Sequence, residues 1–354
     1  MTELLVGTRK GLFVLEGEPG GPFEVSARAF AGEPVEYALR DSRTGSVLAS
    51  VTSAFYGPKV WYTDDPKGEW EQASGVALPE GGEGALERIW VIVAGEAGGT
   101  LYAGGDPGVL FESRDGGASW ELNRGLWEHP SREFWQPGGG GLCLHSIATW
   151  PGDPDRLAVG ISAAGVWLSD DGGATWRKGN EGLVAGYVPE NTPPDQIGLC
   201  VHRLHRAPAR PERLFMQFHG GVYRSDDAGE TWTDIAAGLP SDFGFPLALD
   251  PGDPDSAFLI PLTADTDRVT SDSRVRVYET RDGGASWMAR GSGLPQGHAY
   301  LTILREAFDW LGDGEALELY FGATSGDVFG SRDAGASWAT VAIRLPPVLS
   351  VAAG

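Results

Sequence analysis

The sequence predicts an all-β protein built from a repeated four-stranded antiparallel unit, and three observations support this prediction. The octapeptide Ser-Asp-Asp-Gly-Gly-Ala-Thr-Trp at 169–176 recurs with little change along the chain. Successive copies end at tryptophans 50, 56, 56, 55 and 51 residues apart, namely Trp70, Trp120, Trp176, Trp232, Trp287 and Trp338. A repeat of roughly 40 to 55 residues is typical of an array of small structural units. The 53 glycines and 13 tryptophans of the 354-residue chain also suit a turn-rich β structure.

The chemistry of the octapeptide predicts a tight turn between two strands. Its glycines permit positive φ values, which residues with a side chain resist. The central aspartate, such as Asp171, can accept hydrogen bonds from backbone N–H groups further along the turn. The closing tryptophan opens the next strand and offers a large apolar face for packing. Five copies keep this pattern closely, and a sixth at 63–70 keeps it loosely.

The segment 145–183 shows the repeated unit most clearly. Strand-like runs at HSIATWP, RLAVGIS, GVWLS and TWRKGN are separated by a Gly-Asp-Pro-Asp turn, an Ala-Ala-Gly turn and the octapeptide. Four short strands with turn signals between them are typical of an antiparallel blade. The same pattern predicts six blades, at 35–78, 88–126, 145–183, 202–240, 245–295 and 301–345.

The two ends of the chain together predict a seventh blade. Residues 4–30 supply a second, third and fourth strand but no first one, whereas 348–354 forms a single strand without neighbours. Pairing these segments would leave no sheet edge open. We therefore predict one domain over 1–354, a seven-bladed β-propeller of four-stranded antiparallel blades. Its last blade is closed by the C-terminal strand with the N-terminal strands.

Five near-identical copies identify the octapeptide as an Asp box, and the chain resembles the Asp-box (BNR-repeat) β-propeller superfamily. This superfamily includes sialidases, xyloglucan-cleaving glucanases, sorting-receptor ectodomains and photosystem II assembly factors. The resemblance covers nearly the whole chain, and what it implies is the architecture. Because one fold supports many functions, sialidase-like and assembly factor-like roles both stay open.

Composition narrows the classes of partner. A formal net charge of −22 disfavours nucleic acid or an anionic membrane as the main partner. No signal peptide and no run of 18 apolar residues is evident, and the two cysteines give no disulfide framework. We expect a cytoplasmic protein with a small-molecule ligand, and the oligomeric state stays open.

The up-and-down course of the strands sorts the loops onto two faces. The octapeptide turns lie at one end of the propeller, whereas the blade-to-blade links and the turns between second and third strands lie at the other end. Five of the six histidines are predicted on that other face: His129, His145, His202, His219 and His298. His205 lies further down its strand. This concentration favours a functional site at the mouth of the channel.

The predicted starts of the first strands form a ring around this mouth. The ring contains Glu36, Arg88, His145, His202, Phe245, Tyr300 and a residue near Val348, with Arg9 and Lys10 facing the same end. Such side chains in an acidic protein predict a pocket for a small anionic or polar ligand. The predicted catalytic residues are His145, His202 and His219, and the predicted ligand-binding residues are Arg88, Arg9, Lys10, Glu36 and Tyr300. The alternative is that these side chains fill a wet channel and bond one another.

Two long links between blades, at 126–141 and 182–198, flank the predicted site. Long irregular segments on a rigid scaffold commonly carry function. We expect these links to shield the ligand from water. Their apolar side chains available as walls are Trp127, Phe134, Trp135 and Tyr187.

A shorter repeat, Gly-Leu-Cys-x-His, occurs at 141–145 and 198–202. Cysteine and histidine two residues apart on a strand share a side, so zinc held by both pairs is one interpretation. A disulfide and buried free thiols are the others, since cysteine is also a common small core residue. A divalent metal held by His145, His202 and His219 alone is a further alternative.

Three functional classes remain. A glycoside hydrolase is favoured by the resemblance, but the arginine-isoleucine-proline motif of sialidases has no counterpart beyond Arg88-Ile89-Trp90. Xyloglucan-cleaving relatives need a cleft between two propellers, whereas this sequence predicts a single propeller. A non-glycosidic enzyme would use the histidines as acids, bases or metal ligands. A binding or assembly module is the third class. We expect a propeller that binds a small ligand, with hydrolysis left open.

Overall fold

The computed structural model describes residues 1–79, 84–187 and 198–354, and nearly all of their regular structure is β. Seven four-stranded antiparallel sheets form over these residues, which confirms the predicted fold. The first strand of each sheet contacts the first strands of the two neighbouring sheets, so seven first strands surround a central channel. No helix within the described residues has the length and apolar character needed to span a bilayer.

The blades follow one another along the chain. The blade that contains both ends of the sequence consists of β1 (Thr2–Thr8), β2 (Gly11–Gly17), β3 (Glu24–Ala29) and the C-terminal strand β28. The next blade consists of β4 (Val35–Arg40), β5 (Val47–Ser53), β6 (Gly57–Thr63) and β7 (Glu71–Gln72). It is followed by a blade of β8 (Arg88–Ala94), β9 (Leu101–Asp106), β10 (Val109–Ser113) and β11 (Glu121–Leu122). The blade after that consists of β12 (Leu144–Trp150), β13 (Asp153–Ile161), β14 (Gly165–Ser169) and β15 (Arg177–Lys178).

The last three blades complete the ring. The first of them consists of β16 (Val201–Arg206), β17 (Leu214–Phe218), β18 (Gly221–Ser225) and β19 (Thr233–Asp234). The second consists of β20 (Gly244–Asp250), β21 (Asp253–Pro261), β22 (Val277–Thr280) and β23 (Met288–Arg290), and the third of β24 (Phe308–Leu311), β25 (Glu318–Gly322), β26 (Val328–Ser331) and β27 (Ala339–Ala342). The chain then ends with β28 (Val348–Ala353), which belongs to the blade of β1. The described helices are short: α1 (Arg124–Trp127) and 3-10 turns at Pro130–Phe134, Ser271–Ser273 and Gly314–Ala316.

Ring closure by the two ends of the chain is confirmed. β28 pairs antiparallel with β1, and the register joins Leu4 to Ala353 and Val6 to Val351. Two backbone hydrogen bonds between Glu3 and Gly354, of 3.2 and 3.1 Å, extend the pairing by one position. The inner strand of this blade therefore comes from the opposite end of the sequence to its other three strands.

The octapeptide forms the turn between the third and fourth strands, as predicted. In the copy at 169–176, Oδ1 of Asp171 accepts the N–H of Thr175 at 2.8 Å, and Oδ2 accepts the hydroxyl of Thr175 at 2.6 Å. These bonds hold the pKa of Asp171 below its ordinary value. Gly172 and Gly173 adopt φ values of +69° and +86°, which explains why glycine occupies these positions.

Candidate functional site

A β-bulge re-aims one residue at the start of nearly every first strand. The pairing register skips Glu36 in β4, Trp90 in β8, His145 in β12, His202 in β16 and Leu349 in β28, and it skips Phe245 and Pro246 in β20. A bulged residue is free of the ladder, and its side chain can turn away from the position that strand alternation would give it. We call the face on which these strand starts lie the upper face. It is opposite the octapeptide turns.

The upper face contains a cavity of about 460 Å³, which we call the upper cavity. Five of the bulged residues line it: Glu36, Trp90, His202, Phe245 and Leu349. Its arginines are Arg9, Arg88, Arg268 and Arg305, and its carboxylates are Glu36, Asp106, Asp265 and Glu306. The lining is therefore balanced in charge, although the chain as a whole carries −22.

Arg305 is a cation of this cavity with an unused hydrogen-bond donor. Its Nε is buried and has no hydrogen-bond acceptor among the described residues. Its guanidinium lies 4.6 Å from the ring centre of Phe245 and 5.7 Å from that of Trp90, so cation–π contacts orient it. Burial lowers the pKa of Arg305, but an arginine stays protonated at neutral pH. The guanidinium is thus a charged donor that is held in place and still available.

We call Glu306, which lines the upper cavity, the floor of that cavity. Oε2 of Glu306 accepts a hydrogen bond from Nη1 of Arg203, and both side chains are buried. Nε of Arg203 also donates to Nε2 of His205 at 2.8 Å. Oε1 of Glu306 is buried with no donor among the described residues. A ligand hydroxyl above the floor could supply that missing donor.

A second cavity of about 240 Å³ lies beside Arg203 of this ion pair, and we call it the lower cavity. Tyr37, Arg203 and Asp309 line it. Oδ2 of Asp309 accepts the backbone N–H of Ala353 at 2.9 Å, so this carboxyl helps to fix the closing strand β28. Burial raises the pKa of Asp309 to about 6 from its ordinary value of 3.8.

The raised pKa of Asp309 predicts a pH-dependent contribution to stability. Folding favours the protonated form, so the contribution is fully present below about pH 4 and is lost as the pH rises through about 6. We expect wild type to lose up to about 3 kcal/mol of unfolding free energy relative to Asp309→Asn over that window. Urea unfolding of both proteins at a series of pH values measures this difference. Parallel curves for the two proteins would show that Asp309 titrates normally.

Five predicted site residues lie together in the upper cavity: His202, His219, Arg88, Arg9 and Glu36. Nε of Arg88 lies 3.7 Å from Oε1 of Glu36, so these two side chains form an ion pair. Burial raises the pKa of Glu36, and the cationic Arg88 partly offsets that effect. Burial also raises the pKa of Asp106 on the neighbouring wall.

His145 does not line the cavity. Its ring is fully buried between two blades, where Nε2 lies 2.8 Å from the carbonyl oxygen of Val201 and 3.0 Å from the hydroxyl of Ser162. Nδ1 lies 3.1 Å from the hydroxyl of Ser146. Burial holds the pKa of His145 well below its ordinary value, so this histidine is a neutral structural group.

Lys10 and Tyr300 also lie outside the cavity lining. Both side chains are exposed, Tyr300 to 62%. The sequence alignment placed Tyr300 at the start of a first strand, whereas that strand, β24, begins at Phe308. Arg305 and Glu306 precede β24 and occupy the mouth instead. The sequence pattern does not predict these two residues, because the irregular segment before β24 shifts the strand start by eight positions.

The two long links were predicted to supply apolar walls around the ligand, and their contribution to the upper cavity differs from that prediction. Trp135 is buried against Trp167, with ring centres 5.1 Å apart, and does not line the upper cavity. Gly138 to Gly141 supply backbone to the cavity wall. Tyr187 lies over His219, with ring centres 4.4 Å apart. The remainder of the second predicted link, 188–197, lies outside the described residues.

A metal could be held within the upper cavity by three residues. The ligand atoms of Cys200, His202 and His219 all lie within 4.8 Å of one another. The predicted four-residue zinc set is not assembled, because Sγ of Cys143 lies against Oδ2 of Asp106 at 3.3 Å and His145 is enclosed. Cys143 and Cys200 are both free thiols.

No family model matches the chain. Over 136 residues it is 24% identical to an oligoxyloglucan-reducing end-specific xyloglucanase of Emericella nidulans, which corresponds to 38% of this chain and 15% of that enzyme. An ancestral GH74 enzyme aligns structurally over 92% of this chain and 37% of its own, with a TM-score of 0.57 and 17% identity.

Two other solved structures align over most of both chains. Apo AztD from Citrobacter koseri covers 100% of this chain and 98% of its own, with a TM-score of 0.56 and 11% identity. YCF48 bound to D1 peptide covers 90% and 84%, with a TM-score of 0.51 and 14% identity. At these identities the likenesses concern the fold. The chain thus shares the fold of these structures, a GH74 enzyme and YCF48 among them.

Proposed function

We propose that the upper cavity binds a small anionic ligand that also carries hydroxyl groups. The observation that carries this proposal is the state of Arg305. Two aromatic rings orient its guanidinium, and its buried Nε has no acceptor among the described residues. A buried donor without a partner costs free energy, and a charged donor costs more. An anion bound at Arg305 would remove that cost.

The other charges of the cavity favour one anion of limited size. Arg88 is already paired with Glu36, and His219 lies 3.8 Å from Asp265. These contacts occupy Arg88 and His219, whereas Arg305, like Arg9 and Arg268, forms no ion pair among the described residues. Charge-assisted hydrogen bonds to an anion are roughly twice as strong as neutral ones. The site thus attracts an anion in spite of the net charge of the whole chain.

The size and the remaining surface of the cavity indicate a ligand of monosaccharide scale. Its volume of about 460 Å³ lies within the range of about 300 to 1,000 Å³ found for small-molecule sites. Trp90, Phe245 and Leu304 supply apolar wall, and Oε1 of Glu306 supplies a buried acceptor without a donor. A sugar acid combines the required features, because its carboxylate suits Arg305 and its hydroxyls suit Glu306.

Titration of the protein with glucuronate and with glucose tests this function by calorimetry. The two sugars differ in the carboxylate, so we expect glucuronate to bind more tightly than glucose. Arg305→Gln should weaken glucuronate binding by roughly 10-fold or more, because a hydrogen bond to a charged group contributes about 1.5 to 3 kcal/mol. Glucose binding should change little.

Lys10→Gln is the matched control for this experiment. Lys10 is an exposed cation of the turn after β1 and does not line the cavity. If general electrostatic attraction accounts for binding, Lys10→Gln and Arg305→Gln will weaken glucuronate equally. Such a result, or equal binding of the two sugars to wild type, contradicts the proposal. Thermal unfolding of each variant shows that it is folded.

A glycoside hydrolase is the second candidate, and two observations favour it. The pKa values of Glu36 and Asp106, both in the upper cavity, are raised by burial, as general acids require. The chain is also similar to a xyloglucanase over part of its length. Assays with xyloglucan oligosaccharides and with a sialoside test this candidate. Activity that Glu36→Gln or Asp106→Asn abolishes would support it over binding alone.

A further inference from the structure

We propose that Cys200, His202 and His219 together bind one divalent ion of the zinc class on the wall of the upper cavity. Their ligand atoms lie within 4.8 Å of one another. In a tetrahedral site with Zn–S of about 2.3 Å and Zn–N of about 2.0 Å, ligand atoms are separated by roughly 3.3 to 3.7 Å. Side-chain rotations that close about 1 Å would therefore complete the site without a change in the backbone.

The backbone places these three residues rigidly. Cys200 and His202 are two residues apart at the start of β16, and His219 immediately follows β17, the neighbouring strand of the same blade. The N–H of His219 donates to the carbonyl oxygen of Cys200 at 3.0 Å, so the two strands are joined at this level. The β-bulge at His202 then turns its ring towards the cavity that Cys200 and His219 also line.

The surroundings of His202 resemble the outer shell of a metal ligand. Nδ1 of His202 lies 2.6 Å from the carbonyl oxygen of Gly244, and only a protonated Nδ1 can form that hydrogen bond. Nε2 consequently keeps its lone pair, which is the arrangement in which metal-binding histidines are usually held. Asp265 lies 3.8 Å from Nε2 of His219 and provides a carboxylate beside the second ring.

The neighbouring blade carries the same Gly-Leu-Cys-x-His phrase and serves as an internal comparison. Cys143 lies against Asp106, and both ring nitrogens of His145 have protein partners. In this blade Ser162 stands where His219 stands in the other. The N–H of Ser162 donates to the carbonyl oxygen of Cys143 at 2.8 Å, as the N–H of His219 does to that of Cys200. A third ligand is therefore present in one blade and replaced by serine in the other.

One thiolate and two imidazoles select zinc-class ions, and three protein ligands leave a coordination position open. Because all three residues line the upper cavity, that position faces the space in which Arg305 lies. An anionic ligand could then contact the metal and Arg305 together. This last step rests on the proposed function, whereas metal binding itself rests on the three residues alone.

Cobalt(II) chloride is the probe for this site. We expect tag-free protein, first dialysed against EDTA, to bind one equivalent of cobalt. The complex should show strong visible d–d absorption, as tetrahedral cobalt does, and a thiolate-to-cobalt charge-transfer band in the near ultraviolet. Zinc chloride should displace the cobalt and abolish both features.

Two variants and one matched control assign the ligands. Cys200→Ser should lose the charge-transfer band, and His219→Gln, at a half-buried position on the cavity wall, should weaken cobalt binding by at least about 10-fold. Cys143→Ser should keep both spectral features, because Cys143 belongs to the neighbouring blade. Absence of stoichiometric cobalt binding overturns the proposal, and so does a charge-transfer band that survives Cys200→Ser and disappears in Cys143→Ser.

Titration of the EDTA-treated protein with glucuronate separates this inference from the proposed function. Glucuronate binding that depends on Arg305, in a protein that binds no cobalt, overturns the metal site and leaves anion binding standing. Cobalt binding with the expected spectrum, in a protein that binds no anion with or without the metal, supports the metal site and contradicts the proposed function.

Discussion

Deletion of residues 346–354 is expected to leave the protein largely unfolded or aggregated. The deletion removes β28 and exposes the whole edge of β1, to which β28 is paired at five positions. It also removes Val348 and Val351, which are 0% and 1% exposed, and each such side chain contributes about 1.5 to 3 kcal/mol by burial. With the lost strand pairing, the total is comparable to the whole stability of a typical domain, about 5 to 15 kcal/mol.

Soluble yield and urea unfolding measure the effect of this deletion. Val351→Ala and Leu349→Ala form a matched pair, because Val351 is packed in the core and Leu349 is a bulged residue that lines the upper cavity. Val351→Ala should be the more destabilising of the two. A truncated protein that unfolds like wild type would show that closure by β28 contributes little to stability.

Trp176→Ala is expected to destabilise the fold by about 3 to 5 kcal/mol, the usual cost of emptying a large buried aromatic site. Trp176 is 6% exposed, and its Nε1 donates to the carbonyl oxygen of Gly173 at 3.0 Å. The same N–H lies 3.1 Å from Oδ1 of Asn123 in the preceding blade, so the side chain joins two blades. Urea unfolding measures the loss of stability.

Trp70, in the sixth octapeptide at 63–70 that keeps the pattern only loosely, is the matched control for this substitution. It is partly exposed, and its buried Nε1 has no acceptor among the described residues. Trp70→Ala should therefore cost less than Trp176→Ala. Both variants should still bind glucuronate when folded, because the octapeptide turns lie opposite the upper face. Loss of binding in a folded Trp176→Ala protein would contradict the assignment of faces.

The architecture could be predicted from the sequence because its determinants are local and repeated. Each octapeptide specifies its own turn, as Asp171 shows, and the period between copies specifies the blade. Closure followed from a missing first strand at one end and a single strand at the other. The assignment of the octapeptides to the Asp-box family remains a prediction, since the similar solved structures share only the fold with this chain.

The lining of the upper cavity could be predicted only in part, because it depends on bulges and long-range contacts. Glu36 and His202 were found because they occupy the starts of well-patterned strands. Arg305 was missed because an irregular segment precedes β24, and no sequence period marks where that segment ends. His145 was wrongly grouped with the cavity residues, because the phrase around it matches that around His202. The sequence distinguishes the two histidines by the residue that follows the second strand of each blade. That residue is Ser162 in the blade of His145 and His219 in the blade of His202.

A crystal structure of the protein with glucuronate tests the central claim most directly. We expect electron density for the sugar acid in the upper cavity, with its carboxylate within hydrogen-bonding distance of Arg305 and a hydroxyl near Oε1 of Glu306. A cavity that contains only water, with the guanidinium of Arg305 paired to Asp106 or Glu306, would contradict it. The channel would then be a plugged structural feature, and the function would have to be sought on the outer surface of the propeller.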